Sequence, residues 1–274
     1  MNIQELTKIL INAGIEPNEA AYEVKMLVEH FCNYNEQDKI LGRTLSNDEI
    51  RLLQDKIYER AKSRLPIQYI IGDSWFMGEF FKVTPDVLIP RDETEILVRA
   101  AIDLIKKNNF QTVLDIGTGS GCIACTIAKQ TNAEVLGVDI SNDALRIALD
   151  NVTRLGINNR AIFRKSDLFE RIRAEEKFDL IISNPPYIKL GTKLDIEVEF
   201  EPAIALYAGK NGTEFYERIV KDTPNYIKPN GYLMFELGFG ESETVKKYME
   251  KDFSDIKIIK DMAGIDRVIF GKYV

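Results

Sequence analysis

Between residues 112 and 183 the chain repeats one pattern: a short apolar run, a turn, an amphipathic stretch, then another apolar run. Residues 112–116, 135–140, 161–164 and 180–183 read as strands, rich in Val, Ile and Leu and too short for helices. Residues 121–130 and 142–155 carry helical spacing between the first three of them. Parallel neighbours need a crossover of a dozen or more residues, usually a helix. The alternation therefore predicts an α/β domain whose parallel sheet is covered on both faces. Near the end, "GYLMFELG", "DIKIIKD" and "DRVIFGKYV" read as three more strands. The connection through Gly264 is too short for a helical crossover, so the last two are expected to be antiparallel.

The front of the chain has a different period. Ile3, Leu6, Ile9 and Leu10 recur at helical spacing and Gly14 stops them. Residues 18–34 form a second candidate helix behind Pro17. A third opens at Ser46, with Glu49 three residues on in a capping-box pattern, and ends at Pro66. Residues 1–64 are thus expected to be a small helical domain, either a dimerisation or stabilising appendage or a docking domain for a macromolecule. Residues 65–90 gather aromatic residues around Gly72, Gly78 and Pro85 and read as a β-hairpin linker. A helix from Glu93 to about Lys107 then begins the main domain, 91–274.

"VLDIGTGSGCIACTIA" sets Gly117, Thr118, Gly119, Ser120 and Gly121 between a strand and a helix. Glycines there let a ligand approach the backbone, and the helix start adds oriented N–H groups. Asp139 ends the next strand, where a carboxylate can accept from both hydroxyls of a ribose. The sixth position of a dinucleotide fingerprint is Cys122 rather than glycine, so the loop points away from NAD. Its G-x-G-x-G form, preceded by Asp115, resembles the S-adenosylmethionine site of class I methyltransferases. In that class an acid-containing loop after the third strand lies along the adenine, and here "KSDLF" supplies Asp167 and Leu168.

Composition narrows the partners. The net charge of −7, with both signs well mixed, argues against a broad duplex-binding face, so direct nucleic-acid binding is not expected. No apolar run approaches a membrane span, and "MNIQELTKIL" has no signal-like core, so a cytoplasmic protein is expected. Cys122 and Cys125 form a C-x-x-C, but no second pair exists and His30 is the lone histidine. We read both cysteines as packed in the first turns of a helix and expect no metal.

"FDLIISNPPYIKL" runs an apolar strand into Asn184, Pro185, Pro186 and Tyr187. In an open parallel sheet this is where ligands bind. A planar NH2 group is a poor nucleophile because its lone pair is delocalised. The side-chain oxygen of Asn184 and the carbonyl of Pro185 are suited to accept its two N–H groups, with the ring of Tyr187 stacked on its plane. The prolines hold that carbonyl still. The chemistry fits the exocyclic amine of adenine or guanine as well as the amide of glutamine or asparagine. A non-catalytic cofactor-binding module remains the alternative from another class.

Over its whole length the chain resembles the peptide chain release factor glutamine N5-methyltransferases. The likeness rests on "PIQYIIG" (66–72), "VLIPRDETE" (87–95), "LDIGTGSGCIA" (114–124), "SNPPYI" (183–188), "FEPAIALYAGKNG" (200–212) and "DRVIFGK" (266–272). It implies a Rossmann-like, seven-stranded, mostly parallel sheet with one antiparallel strand behind an all-α docking domain. It also implies S-adenosylmethionine as methyl donor, S-adenosylhomocysteine as product and class 1 release factors as partner. By the same resemblance Gly117 to Gly121, Asp139, Asp167, Leu168 and Asn184 would bind the cofactor. Asn184, Pro185, Pro186 and Tyr187 would hold the substrate glutamine, and Arg91, Glu93 and Thr94 would close over it. A ribosomal-protein glutamine or a nucleic-acid base is the alternative acceptor. The family commonly reads Pro-Arg-Pro-Glu-Thr where this chain has Asp92, and some members carry an aromatic residue where it has Leu168.

Overall fold

The computed structural model describes residues 3–274, in two units. The first comprises residues up to 73 together with 194–200, and the second comprises 74–193 and 201–274. Among the described residues no helix is long and apolar enough to cross a membrane.

The first unit is helical. α1 (Ile3–Asn12), α2 (Pro17–Cys32) and α4 (Asn47–Ser63) are the three helices expected from periodicity, and a short α3 (Glu36–Ile40) lies between the last two. Ser46 caps α4: its Oγ accepts from Glu49 N, and Glu49 Oε2 accepts from Ser46 N. Leu6, Leu10, Val24, Leu27, Leu53 and Ile57 meet in its core. Residues 67–71 differ from the hairpin expected across 65–90. They form a helical turn, α5 (Ile67–Ile71), and Ile67 and Ile70 add to the helical core. Gly72 ends that turn in the left-handed region at φ +84°, which glycine adopts without cost.

A buried charge cluster joins these helices. Arg60 is 1% exposed and donates through Nε and Nη2 to Glu23, at 2.7 Å for the shortest contact. Its Nη1 reaches Glu197 Oε1 at 3.2 Å, and Arg64 Nε reaches the same oxygen at 2.8 Å. Two guanidinium groups thus hold the 194–200 segment to the helices.

The second unit opens with the hairpin β1 (Asp73–Phe76) and β2 (Glu79–Lys82), then α6 (Asp92–Asn108). The alternation follows as β3 (Thr112–Ile116), α7 (Cys122–Gln130), β4 (Glu134–Asp139), α8 (Asn142–Arg154), β5 (Ala161–Lys165) and β6 (Phe178–Ser183). A small ribbon pairs β7 (Ile188–Lys189) with β8 (Tyr207–Gly209), and the short α9 (Ala203–Leu206) precedes β8. The chain finishes with α10 (Glu214–Asp222), β9 (Ile227–Glu236), α11 (Ser242–Met249), β10 (Phe253–Lys260) and β11 (Asp266–Tyr273).

Seven strands form one sheet in the order β10-β11-β9-β6-β3-β4-β5. Neighbours from β9 to β5 run parallel, and β11 alone runs against both of its neighbours. Alternate residues of each strand feed two cores. Val113, Leu180, Ile182 and Met234 pack with α6 and α7 on one face, and Leu114, Ile181, Leu233 and Phe235 pack with α10 and α11 on the other. The near-continuous apolar runs of the sequence follow from burial on both faces. The chain turns back between β3 and β6, which are neighbours although β4 and β5 lie between them in sequence. That switch opens a crevice at the carboxyl edge of the sheet.

Candidate active site

The cleft at this switch is lined by Gly117 and Gly119 after β3, Asp139 and Ile140 after β4, Asp167 and Leu168 after β5, and Asn184 to Pro186 after β6. Asp86 to Leu88 and Pro202 also reach it. Four consecutive strand ends therefore contribute to one hollow, and of the residues singled out in the sequence it brings together Gly117, Gly119, Asp139, Asp167, Leu168, Asn184, Pro185 and Pro186.

Glycine is required in the loop. Gly117, Gly119 and Gly121 all have positive φ, at +72°, +54° and +78°. A Cβ on Gly121 would also stand 3.1 Å from both Ala148 and Phe163. Thr118, Ser120 and Gly121 are buried behind the cleft rather than lining it. Thr118 Oγ1 donates to Asp115 Oδ2 at 2.6 Å, and Ser120 O accepts from Asn151 Nδ2 at 2.8 Å. Burial pushes Asp115 up to about 7, and its Oδ1 has no hydrogen-bond partner.

Asp139 accepts Gly119 N at Oδ2 and Ser141 N at Oδ1, each at 2.9 Å. Burial raises its pKa, opposed by these N–H donors. Each oxygen keeps a lone pair for a further donor. Ile140 and Leu168 give the cleft apolar walls beside the acid. Leu168 has φ +46°, a strained conformation for its side chain of the kind that collects at ligand sites. Asp167 pairs with Arg218 at 3.0 Å.

After β6, Asn184 Nδ2 lies 3.3 Å from Thr94 Oγ1 in the first turn of α6. Tyr187 packs against Gly238, where a Cβ would come within 2.9 Å of its ring. Burial, and then the nearby Glu236, push the Tyr187 hydroxyl up to about 12. Tyr187, Thr94, Arg91 and Glu93 stand outside the lining of the cleft. Arg91 pairs with Glu201, and Arg267 Nη2 reaches Glu93 at 3.3 Å. Among the described residues no group of three His, Cys, Asp or Glu side chains is arranged to hold a metal ion. Cys122 and Cys125 are buried free thiols.

Two buried acids went unnoticed in the sequence. Glu201 holds the segment before α6 by accepting Ile89 N at 3.0 Å and pairing with Arg91. Glu236 ends β9 beside Asn184 and Thr94. The signal for Glu236 was present in "MFELG": a polar residue closes an apolar strand there, as Asp139 and Asn184 do.

The chain is similar to known methyltransferases at three levels. The family described as "Methyltransferase small domain" matches residues 92–201. A release factor glutamine methyltransferase of Geobacter sulfurreducens is 43% identical over 235 residues, covering 84% of this chain and 81% of its own. That of Clostridium acetobutylicum is 38% identical over 257 residues, covering 86% of this chain and 90% of its own. The chain belongs to the release factor glutamine methyltransferases. Among solved structures, a T. thermophilus 16S rRNA N2 G1207 methyltransferase in complex with AdoMet and guanosine aligns with a TM-score of 0.55. It is 19% identical and covers 74% of this chain and 50% of its own, which is a likeness of fold.

As a member of this family the chain is an S-adenosylmethionine-dependent methyltransferase, and the cleft fits that donor. A loop whose three glycines all have positive φ leaves room against the backbone, and an acid with spare acceptor capacity closes the next strand. The apolar side chains of Ile140 and Leu168 line the cleft beyond it.

Proposed function

We propose that this enzyme transfers a methyl group from S-adenosylmethionine to the side-chain amide nitrogen, N5, of the glutamine in the Gly-Gly-Gln loop of class 1 peptide chain release factors. The observation that carries this reading is the presence of Asn184, Pro185 and Pro186 on the same cleft as Gly117, Gly119 and Asp139. The names of the relatives supply the acceptor.

The bound donor supplies an electrophilic methyl group on its sulfonium. Gly117 to Gly121 give it close backbone approach, with the buried Thr118, Ser120 and Gly121 setting the shape of the loop. Asp139 accepts its ribose hydroxyls, and Asp167 and Leu168 line its adenine. Asn184 adds a contact from the side of the acceptor.

Asn184 Oδ1 and the Pro185 carbonyl accept the two N–H groups of the substrate amide, and Pro186 keeps the second acceptor from drifting. The ring of Tyr187 covers the amide plane. Its raised pKa keeps the hydroxyl protonated, so it takes no proton from the substrate. Holding the nitrogen in line with the methyl group supplies on the order of 7–11 kcal/mol of the barrier as orientation paid before the chemical step. The methylated nitrogen becomes acidic as it gains positive charge, and its proton leaves to water. Arg91, Glu93 and Thr94 frame the acceptor side at the start of α6. The helical unit docks the release factor, and the reaction takes place in the cytoplasm. The acidic balance of the chain disfavours a nucleic-acid acceptor.

The test is transfer of labelled methyl from S-adenosylmethionine to a purified release factor, with mass spectrometry to locate the label. Label on the Gly-Gly-Gln glutamine, lost when that glutamine is replaced, is the expected result. Label confined to a ribosomal protein or to a nucleic-acid base would overturn the assignment of the acceptor.

A further inference from the structure

Two parallel strands end side by side beneath the acceptor side of the cleft. β6 and β9 pair with Ser183 opposite Phe235, so the next residues, Asn184 and Glu236, are neighbours at the carboxyl edge of the sheet. On the other side of β9, Val268 of β11 stands opposite Glu236. The Glu236 side chain is almost wholly enclosed, at 2% exposure, and its Oε2 has no hydrogen-bond partner. Burying a carboxyl without a full set of donors is costly, and a fold that keeps one there calls for an explanation.

The nearest cation does not supply it. Arg267 is engaged with Asp261 at 2.8 Å and with Glu93 at 3.3 Å. The hydroxyl of Tyr216 is spent on the backbone carbonyl of Glu236 rather than on its carboxyl. Thr94 and Asn184 are the side chains near enough to donate to the carboxyl. Asn184 Nδ2 itself lies 3.3 Å from Thr94 Oγ1.

A primary amide has a donor end and an acceptor end. With Nδ2 turned to Thr94 Oγ1, beside the Glu236 carboxyl, the Oδ1 of Asn184 is left for the cleft that this residue lines. We infer that Glu236 is a positioning residue that locks the Asn184 side-chain amide with Oδ1 presented to the substrate amide, without itself taking a proton. The inference rests on the role proposed above for Asn184. Glu236 does not line the cleft, so it acts through Asn184 and not on the reacting atoms.

Substitution separates orientation from proton transfer. Glu236→Gln keeps an acceptor oxygen for Asn184 Nδ2 and is expected to keep wild-type kcat. Glu236→Ala removes that acceptor and is expected to lower kcat about a hundredfold, the scale of a reactant misplaced by about 1 Å, with cofactor affinity unchanged. Equal loss in both variants with cofactor binding intact would overturn the inference, and so would full activity of the alanine variant. The second measurement is the Asn184 side-chain NH2 pair in 1H–15N spectra, assigned by its absence in Asn184→Ala. Protection from exchange in the wild type and in Glu236→Gln is expected. Rapid exchange in the wild type would overturn the inference even if Glu236→Ala failed to fold. These spectra need no substrate, so a wild type that labels no release factor would count against the proposed function while the spectra still judge Glu236.

Discussion

Gly119 donates its backbone N–H to Asp139 Oδ2 at 2.9 Å, so the acid that closes β4 also shapes the loop that follows β3. One carboxylate thereby links two of the four strand ends that build the cleft. Asp139→Ala should remove both the anchor and the acceptor for the donor's ribose. Loss of a hydrogen bond to a charged group costs about 1.5–3 kcal/mol, so S-adenosylmethionine affinity should fall by about ten- to a hundredfold. Calorimetric titration with the cofactor checks this, and unchanged affinity would remove Asp139 from the site.

Asn184→Ala should act on the chemical step. Removing one preorganised hydrogen-bonding group from a transition state costs about 10²–10³ in kcat, and the same loss is expected here with the melting temperature unchanged. Methyl transfer under saturating cofactor is the measurement. Retained turnover would sink the account of Asn184 as a clamp.

Gly137 lies mid-strand in β4 with no unusual φ, yet it admits no side chain. A Cβ there would meet Phe163 Cδ1 at 2.6 Å and Thr118 Oγ1 at 2.7 Å. Gly137→Ala should cost about 1–3 kcal/mol of stability by overpacking. It should also weaken cofactor binding, because Thr118 belongs to the loop that the clash would push. A thermal melt together with a cofactor titration tests both, and a neutral variant would contradict the packing argument.

In the helical unit, Arg60→Leu leaves Glu23 buried without its partner. Breaking a buried pair from one side costs about 3–5 kcal/mol. Hydrogen exchange should therefore quicken in α1, α2 and α4 while the seven-stranded sheet keeps its protection. Uniform protection in the variant would show the pair to be dispensable.

Stability should decline as pH rises from about 4 to 7. Burial pushes Asp115, Glu236 and Glu241 up to about 7 in the folded chain, against ordinary carboxylate values near 4 when unfolded. The native state then holds protons that the unfolded state has released. The stability contributed is full below the unfolded value and is lost as pH climbs through 7. Glu176, held down to about 2 by its hydrogen bond from Arg164, acts in the opposite sense, but only at acid pH below this window. Unfolding midpoints at pH 5 and pH 8 test the sign. Asp115→Asn should reduce the difference, because an amide does not titrate in this range while Glu236 and Glu241 still do. A midpoint that rises with pH would refute the account.

The sequence by itself determined the period of each segment and the residue that closes each strand. Near-continuous apolar runs at 112–116 and 180–183 predicted strands buried on both faces, and the two cores that share their alternate residues are the reason. Glycines 117, 119 and 121 announced a turn that L side chains would strain, and Asp139 and Asn184 stood out as polar ends of apolar strands. These signals are local, since φ preference and side-chain periodicity are written within a few residues.

What needed the tertiary structure was every relation between residues distant in the chain. Residues 67–71 are a helix because Ile67 and Ile70 complete a helical core, which aromatic clustering around Gly72 did not reveal. Thr118, Ser120 and Gly121 read as part of one loop, but packing against Asp115, Asn151 and Ala148 turns them away from the cleft. Glu201 and Glu236 looked like ordinary charges. Strand order and register bring Glu236 beside Asn184, and a loop contact across 112 positions brings Glu201 to Ile89. A carboxylate's role is set by the donors around it and by the water it has lost, and both are properties of the packed chain.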